Sequence, residues 1–341
     1  MERQELIVQE GISLEHLSKR RGTVMGIATC LIMALHIYQL FGISDRSRFY
    51  VLKDILLHNC EYGVDIFLLV SGFGLYRSLI VGFEAKRYFK KRLLRIYPDY
   101  ILTLLIISPI LSLAALKEFL LQITSISLWH SLNLSYWYVP LIVILYLMYP
   151  LIHRIVVRSN SAILAMIAGY IAITFILFDL LLPDKALLTI ISDRVPIFLI
   201  GALAGKAAFT KKRKITLTTM LGIVLAGVIS FTVIFFFGHF SHYRLLYAPL
   251  ALAVTLLTAY LTERLSDRNL IIRVLELIGG ASYQIYLIHG PLMLVIVDHT
   301  PLLKIPNKTV WIVVTTIASL IAAFVLKAVC DKLRKVVFVA K

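Results

Sequence analysis

Asp65 stands in GVDIFLLVSGF (Gly63–Phe73), an acidic residue inside an otherwise apolar run. On insertion scales a carboxylate at the centre of a bilayer span costs about 2.5–3.5 kcal/mol, so a chain that keeps one there has a use for it. His36 lies fourteen residues past Gly22 in a second apolar run, and His289 lies within YLIHGP in a third. Imidazole exchanges protons near neutral pH, and a neighbouring carboxylate can orient it as a general base. Three ionisable groups in lipid-length segments point to chemistry or transport rather than to a passive anchor. Each has a plainer rival: either histidine can be an interhelical hydrogen-bonder, and Asp65 can cap or solvate its span.

The elements that must position these groups are membrane helices. The 341 residues are 60% apolar and 16% charged, with a mean hydropathy of +0.87. Soluble chains run nearer 45–50% apolar and about 25% charged. The apolar residues come in blocks of about 20 separated by short polar joints, the pattern of a polytopic all-α bundle. The blocks predict ten spans, near 22–41, 63–82, 93–113, 136–152, 161–182, 194–208, 216–238, 245–262, 274–297 and 309–330. The sixth is short. No cleavable leader is visible in the polar first 21 residues, so the first span is expected to act as an uncleaved anchor. The expected organisation is a tail at 1–21, a transmembrane domain at 22–330 and a tail at 331–341, with no joint long enough for a soluble domain.

Lys and Arg set the orientation. Joints on the side of the N-terminus carry 25 of the 35 basic residues, the opposite joints carry 9, and Arg77 lies inside a span. The positive-inside rule then predicts both termini in the cytoplasm. The net charge of +16 sits in these joints and not along one face, which argues against a nucleic-acid partner. Cys30, Cys60 and Cys330 have no metal-like spacing, and no metal site is expected.

At 1.5 Å per residue, His36 lies about 21 Å from the cytoplasmic end of its span and His289 about 22 Å up its own. Asp65 and the pair Trp137–Tyr138, in SYWYVP, open their spans from the outer side. Four spans thus bring polar or aromatic groups to a similar depth. Trp137 and Tyr138 could stack on a sugar or serve as interfacial belt residues. On the cytoplasmic side, AKRYFKKRLLRIYPDY places Arg92 and Arg95 on one helical face. Such a pair suits bidentate phosphate binding, with topology determination as the rival reading. Arg77, Asp179 and Asp193 read as interfacial.

GVDIFLLVSGF resembles the GVDLFFVLSGF signature of the acyltransferase 3 family of integral membrane acyltransferases. RLLRIYP (Arg92–Pro98) resembles its RRLLRIYP element, ASYQIYLIHGPL (Ala281–Leu292) its late SYxIYLIHxPL element, and MGIATCLIMALH (Met25–His36) its RGIAALLVVLFH pattern. The four elements occur in family order over nearly the whole chain. The resemblance implies ten membrane helices and transfer of an acyl group, commonly acetyl from acetyl-CoA, with no permanently bound cofactor. The acceptor it implies is a hydroxyl of a sugar, polysaccharide or lipid-linked glycan of the cell envelope. The implied location is the bacterial cytoplasmic membrane. It also implies catalysis by His36 and donor binding near Arg92 and Arg95.

Two positions depart from the family pattern. Met25 stands where a basic residue is usual, eleven residues before His36, and Arg21, one turn earlier, is the candidate to supply that charge by snorkelling. The Glu found after the Trp element in some members is absent. The resulting expectation is His36 as general base, Asp65 as its orienting carboxylate, and His289 as second proton carrier or oxyanion donor. Arg92, Arg95 and Arg21 would serve the acyl-CoA, and Trp137 and Tyr138 the acceptor. The rivals are a glycan or lipid-precursor transporter or flippase, and an inactive member acting as an assembly subunit.

Overall fold

The computed structural model describes residues 11–41, 56–57, 59–107, 112–128, 136–237, 241–303 and 308–339. Residues 1–10 and 340–341 of the two expected tails lie outside them. In chain order the main elements are β1 (Gly11–Ser13), α1 (Glu15–Lys19), α2 (Arg21–Phe41), α3 (Gly63–Ile80), α4 (Ala85–Ile107) and α5 (Leu113–Ile123). They continue with α6 (Tyr138–Arg158), α7 (Asn160–Phe175), α8 (Val195–Phe209), β2 (Lys214–Thr216), α9 (Leu217–Phe237) and α10 (Tyr247–Glu263). The last are α11 (Leu270–Gly280), α12 (Ser282–Leu303) and α13 (Lys308–Val339).

The fold is an all-α polytopic bundle, with one two-stranded ribbon in which Gly11 faces Thr216 and Ser13 faces Lys214. Among the described residues, each of the ten apolar blocks overlaps a helical segment. Among the described residues, seven helices are long and apolar enough to span a bilayer, or eight if the broken pair α11 and α12 counts as one. The two left over have physical reasons. Helix α4 carries the Arg92, Arg95 and Asp99 charges into its apolar half, and α8 has only 15 residues. The all-α bundle is as expected, with seven or eight helices, rather than ten, meeting the length and composition of a span among the described residues.

The chain divides into two compact units. The first comprises 1–32, 61–83 and 148–280, and the second 33–60, 84–147 and 281–341. In the first unit α3 packs along α8, and α9 along α10. Small residues set the close approach of α3 and α8. A Cβ on Gly72 would lie 2.1 Å from the Phe198 carbonyl oxygen, and one on Gly201 would lie 2.1 Å from that of Leu69. The glycine of the VSGF motif thus has a packing role of the small-residue kind common between membrane helices. Gly72→Ala is expected to cost about 3 kcal/mol, the upper end of overpacking penalties. Gly222→Ala, where nothing lies within 4 Å, should leave the melting temperature of the detergent-solubilised protein unchanged or slightly raised.

The segment expected as an N-terminal tail is built into this unit from Gly11 onward. Arg20 is only 2% exposed; it donates to the Thr262 and Leu265 carbonyls at 3.1 and 2.6 Å and pairs with Asp267 at 2.7 Å. Lys206 donates to the Val156 and Val157 carbonyls at the end of α6 and to Asn160, satisfying acceptors that a helix C-terminus leaves open. In the second unit α12 packs along α13, and both pack on α4. Helix α13 runs to Val339, so the expected C-terminal tail is mostly a continuation of that helix.

Candidate functional site

The second unit brings His36 and His289 together. His36, near the end of α2, and His289, on α12, have ring centroids 5.0 Å apart. His289 is 2% exposed, and its Nδ1 lies 2.6 Å from the Ile285 carbonyl one turn back. A carbonyl only accepts, so Nδ1 carries the proton, and in the neutral ring Nε2 carries a lone pair. That Nε2 is buried with no hydrogen-bond partner among the described residues. A buried, unsatisfied nitrogen is costly unless the site uses it. His36 is only half-buried.

An aromatic run leads away from this pair. Tyr286, on α12, lies 6.5 Å from His289 and 5.4 Å from Tyr138, and Trp137 lies 6.3 Å beyond. The Tyr138 amide donates to the Tyr286 hydroxyl at 3.3 Å. The aromatic pair opening α6 is thus joined to the histidine helix by a main-chain hydrogen bond, and its rings give edge-to-face surfaces suited to a sugar or a lipid headgroup.

The two arginines of RLLR take different surroundings. Arg92 is buried, with its guanidinium over the rings of Tyr88 at 5.3 Å and Tyr146 at 5.4 Å. Arg95 is exposed. Four residues on, Asp99 is fully buried; it accepts from the Gln284 amide at 2.6 Å and pairs with Arg334. Asp99, Gln284 and Arg334 were not singled out from sequence. The available signal was a carboxylate inside a span, which requires a partner.

Asp65 belongs to the first unit, where it is 1% exposed and paired with Arg194, itself 1% exposed. Arg194 also donates to the Glu61 carboxylate at 3.0 Å and to the Glu61 and Ile190 carbonyls. Glu61 accepts further from Tyr243 at 2.6 Å and Arg244 at 3.3 Å. Asp193, read from sequence as interfacial, is buried and lies 2.6 Å from His242 Nδ1. His242 stacks on Phe175 and holds a left-handed φ of 58°, a conformation that costs a non-glycine residue energy and needs such anchoring. Arg21, at the start of α2, sets its guanidinium against Gly74 of α3.

Among the described residues no cluster of His, Cys, Asp and Glu has the arrangement of a metal site. The second unit thus sets two imidazoles beside a run of aromatic rings, and the arginine-bearing α4 packs on α12, the helix of His289.

Residues 25–328 match the model of the acyltransferase 3 family, described as an acyltransferase domain. No curated protein and no solved structure matches the chain. The match spans all four motifs read from the sequence, and the chain belongs to the acyltransferase 3 family of membrane acyltransferases.

Proposed function

We propose that this protein moves an acyl group, acetyl in the first instance, from acyl-CoA to a hydroxyl of a sugar, polysaccharide or lipid-linked glycan. The observation that carries the reading is the imidazole pair: His289 with its Nδ1–H committed to Ile285 and its Nε2 unpaired, 5.0 Å between centroids from His36. Transfer needs a base that takes the acceptor's O–H proton as the oxygen attacks the thioester carbonyl. The C–S bond then breaks, and the leaving thiolate takes a proton to give CoA. His36 is the base. His289 is the second proton carrier; its one N–H is already spent in the neutral state, so it is not the donor to the oxyanion.

Trp137 and Tyr138 face the acceptor in this scheme. Arg95, exposed and charged, takes the donor phosphates, and Arg92, held between two tyrosine rings, fixes the helix that presents it. Arg21 adds charge at the start of α2. Asp65 is answered by Arg194 and is assigned to anchoring α3. The donor approaches from the cytoplasm and the acceptor lies at the outer side, a polarity supported by the excess of basic residues in alternate joints.

Membranes containing the protein, incubated with radiolabelled acetyl-CoA and a lipid-linked glycan, should place label on the glycan in an ester that mild base releases. Glycan movement across the membrane without label would select a transporter instead. Neither label nor movement would leave an assembly subunit.

A further inference from the structure

Two groups on α4 are left without partners by the sequence of that helix. Residue 98 is proline and has no N–H to donate, so the Leu94 carbonyl one turn back loses its helical hydrogen bond. Asp99 is fully buried, and its closest cation in sequence is Arg95, four residues earlier on the same helix face and within reach of a side-chain pair. Left alone, Asp99 would draw in Arg95.

Arg334, near the end of α13, answers both. Its Nε donates to the Leu94 carbonyl at 3.0 Å, its Nη2 pairs with Asp99, and its Nη1 lies 2.6 Å from Asp331. Gln284 of α12 takes the other Asp99 oxygen at 2.6 Å. With Asp99 satisfied from two other helices, Arg95 is exposed and makes no hydrogen bond or ion pair among the described residues. Both Arg334 and Asp331 lie beyond residue 328, where the family match ends, so the match does not assign them a role.

We propose that Arg334 is a positioning residue for the acyl donor: by occupying Asp99 and the carbonyl freed by Pro98, it keeps Arg95 available to the phosphates of CoA. Gln284, on the same carboxylate, ties that arrangement to the helix that carries His289. The inference rests on the reading of Arg95 as a donor-binding residue.

The test compares two donors and also measures CoA binding directly by titration calorimetry. Arg334→Gln should raise KM for acetyl-CoA about tenfold or more, with kcat changed less than about threefold. With acetyl-pantetheine, which lacks the nucleotide phosphates, the same substitution should change KM less than about threefold. Arg334→Gln combined with Asp99→Asn removes the competitor for Arg95 and should recover most of the lost affinity for CoA. Arg334→Lys, which keeps the charge but replaces the wide planar fork with a single ammonium on a shorter side chain, should fall between wild type and Arg334→Gln. It supplies a folded comparison if glutamine is not tolerated. Equal losses with both donors, or an unchanged KM for acetyl-CoA, would overturn the proposal. If wild type binds CoA but transfers no acyl group, the proposed function fails while the calorimetric comparison of wild type, single and double variants still judges Arg334.

Discussion

Alanine at His36 should lower kcat for acyl transfer by about 10²–10⁴-fold, the usual range for losing a positioned general base. An acceptor hydroxyl is a poor nucleophile while it keeps its proton, and the proposed scheme gives that proton to this ring. KM for the donor should change little, because the residues assigned to its phosphates lie on α4. His289→Gln should cost less, about 10–100-fold. Glutamine can still satisfy the Ile285 carbonyl through its amide but offers no basic nitrogen where Nε2 stands. The double variant should be no slower than His36→Ala alone, since residues acting in one relay are not additive. Single-turnover assays on purified, folded protein measure all three. Full turnover by His36→Ala would remove it from the mechanism.

The second large effect is on stability. Arg194→Met would leave Asp65 and Glu61, 1% and 16% exposed by side chain, without their shared cation. Breaking one side of a buried ion pair costs about 3–5 kcal/mol, chiefly because the remaining charge is uncompensated. The variant should therefore melt well below wild type in detergent. Adding Asp65→Leu to Arg194→Met should recover part of that loss, because removing both members of a buried pair is far cheaper than removing one. Arg244 remains to answer Glu61 at 3.3 Å. Asp65→Asn alone separates two roles for that carboxylate. An anchor loses stability and keeps its turnover per folded molecule; a residue orienting His36 loses turnover at unchanged stability. The Arg194 pairing favours the first outcome.

The sequence by itself determined the class of the fold and the elements that carry the candidate residues. Blocks of about twenty apolar residues can satisfy their backbone in a bilayer only as helices or as a closed barrel, and their lengths selected helices. The four motifs marked the helices of His36, Asp65, Arg92 and His289, since polar groups stand out against an apolar background. Periodicity also placed Arg92 and Arg95 on one face.

What tertiary structure alone decided is who partners whom. The sequence offers Asp65 as a carboxylate to orient His36; within the first unit its partner is Arg194, 129 positions away at the start of the sixth expected span. Asp99 has an obvious local partner in Arg95, yet its carboxylate is taken by residues 185 and 235 positions away. His36 meets His289 across more than 250 residues of chain. The physical reason is common to all three. A buried charge must find compensation, but sequence specifies only that requirement; helix packing determines which groups arrive within hydrogen-bonding distance.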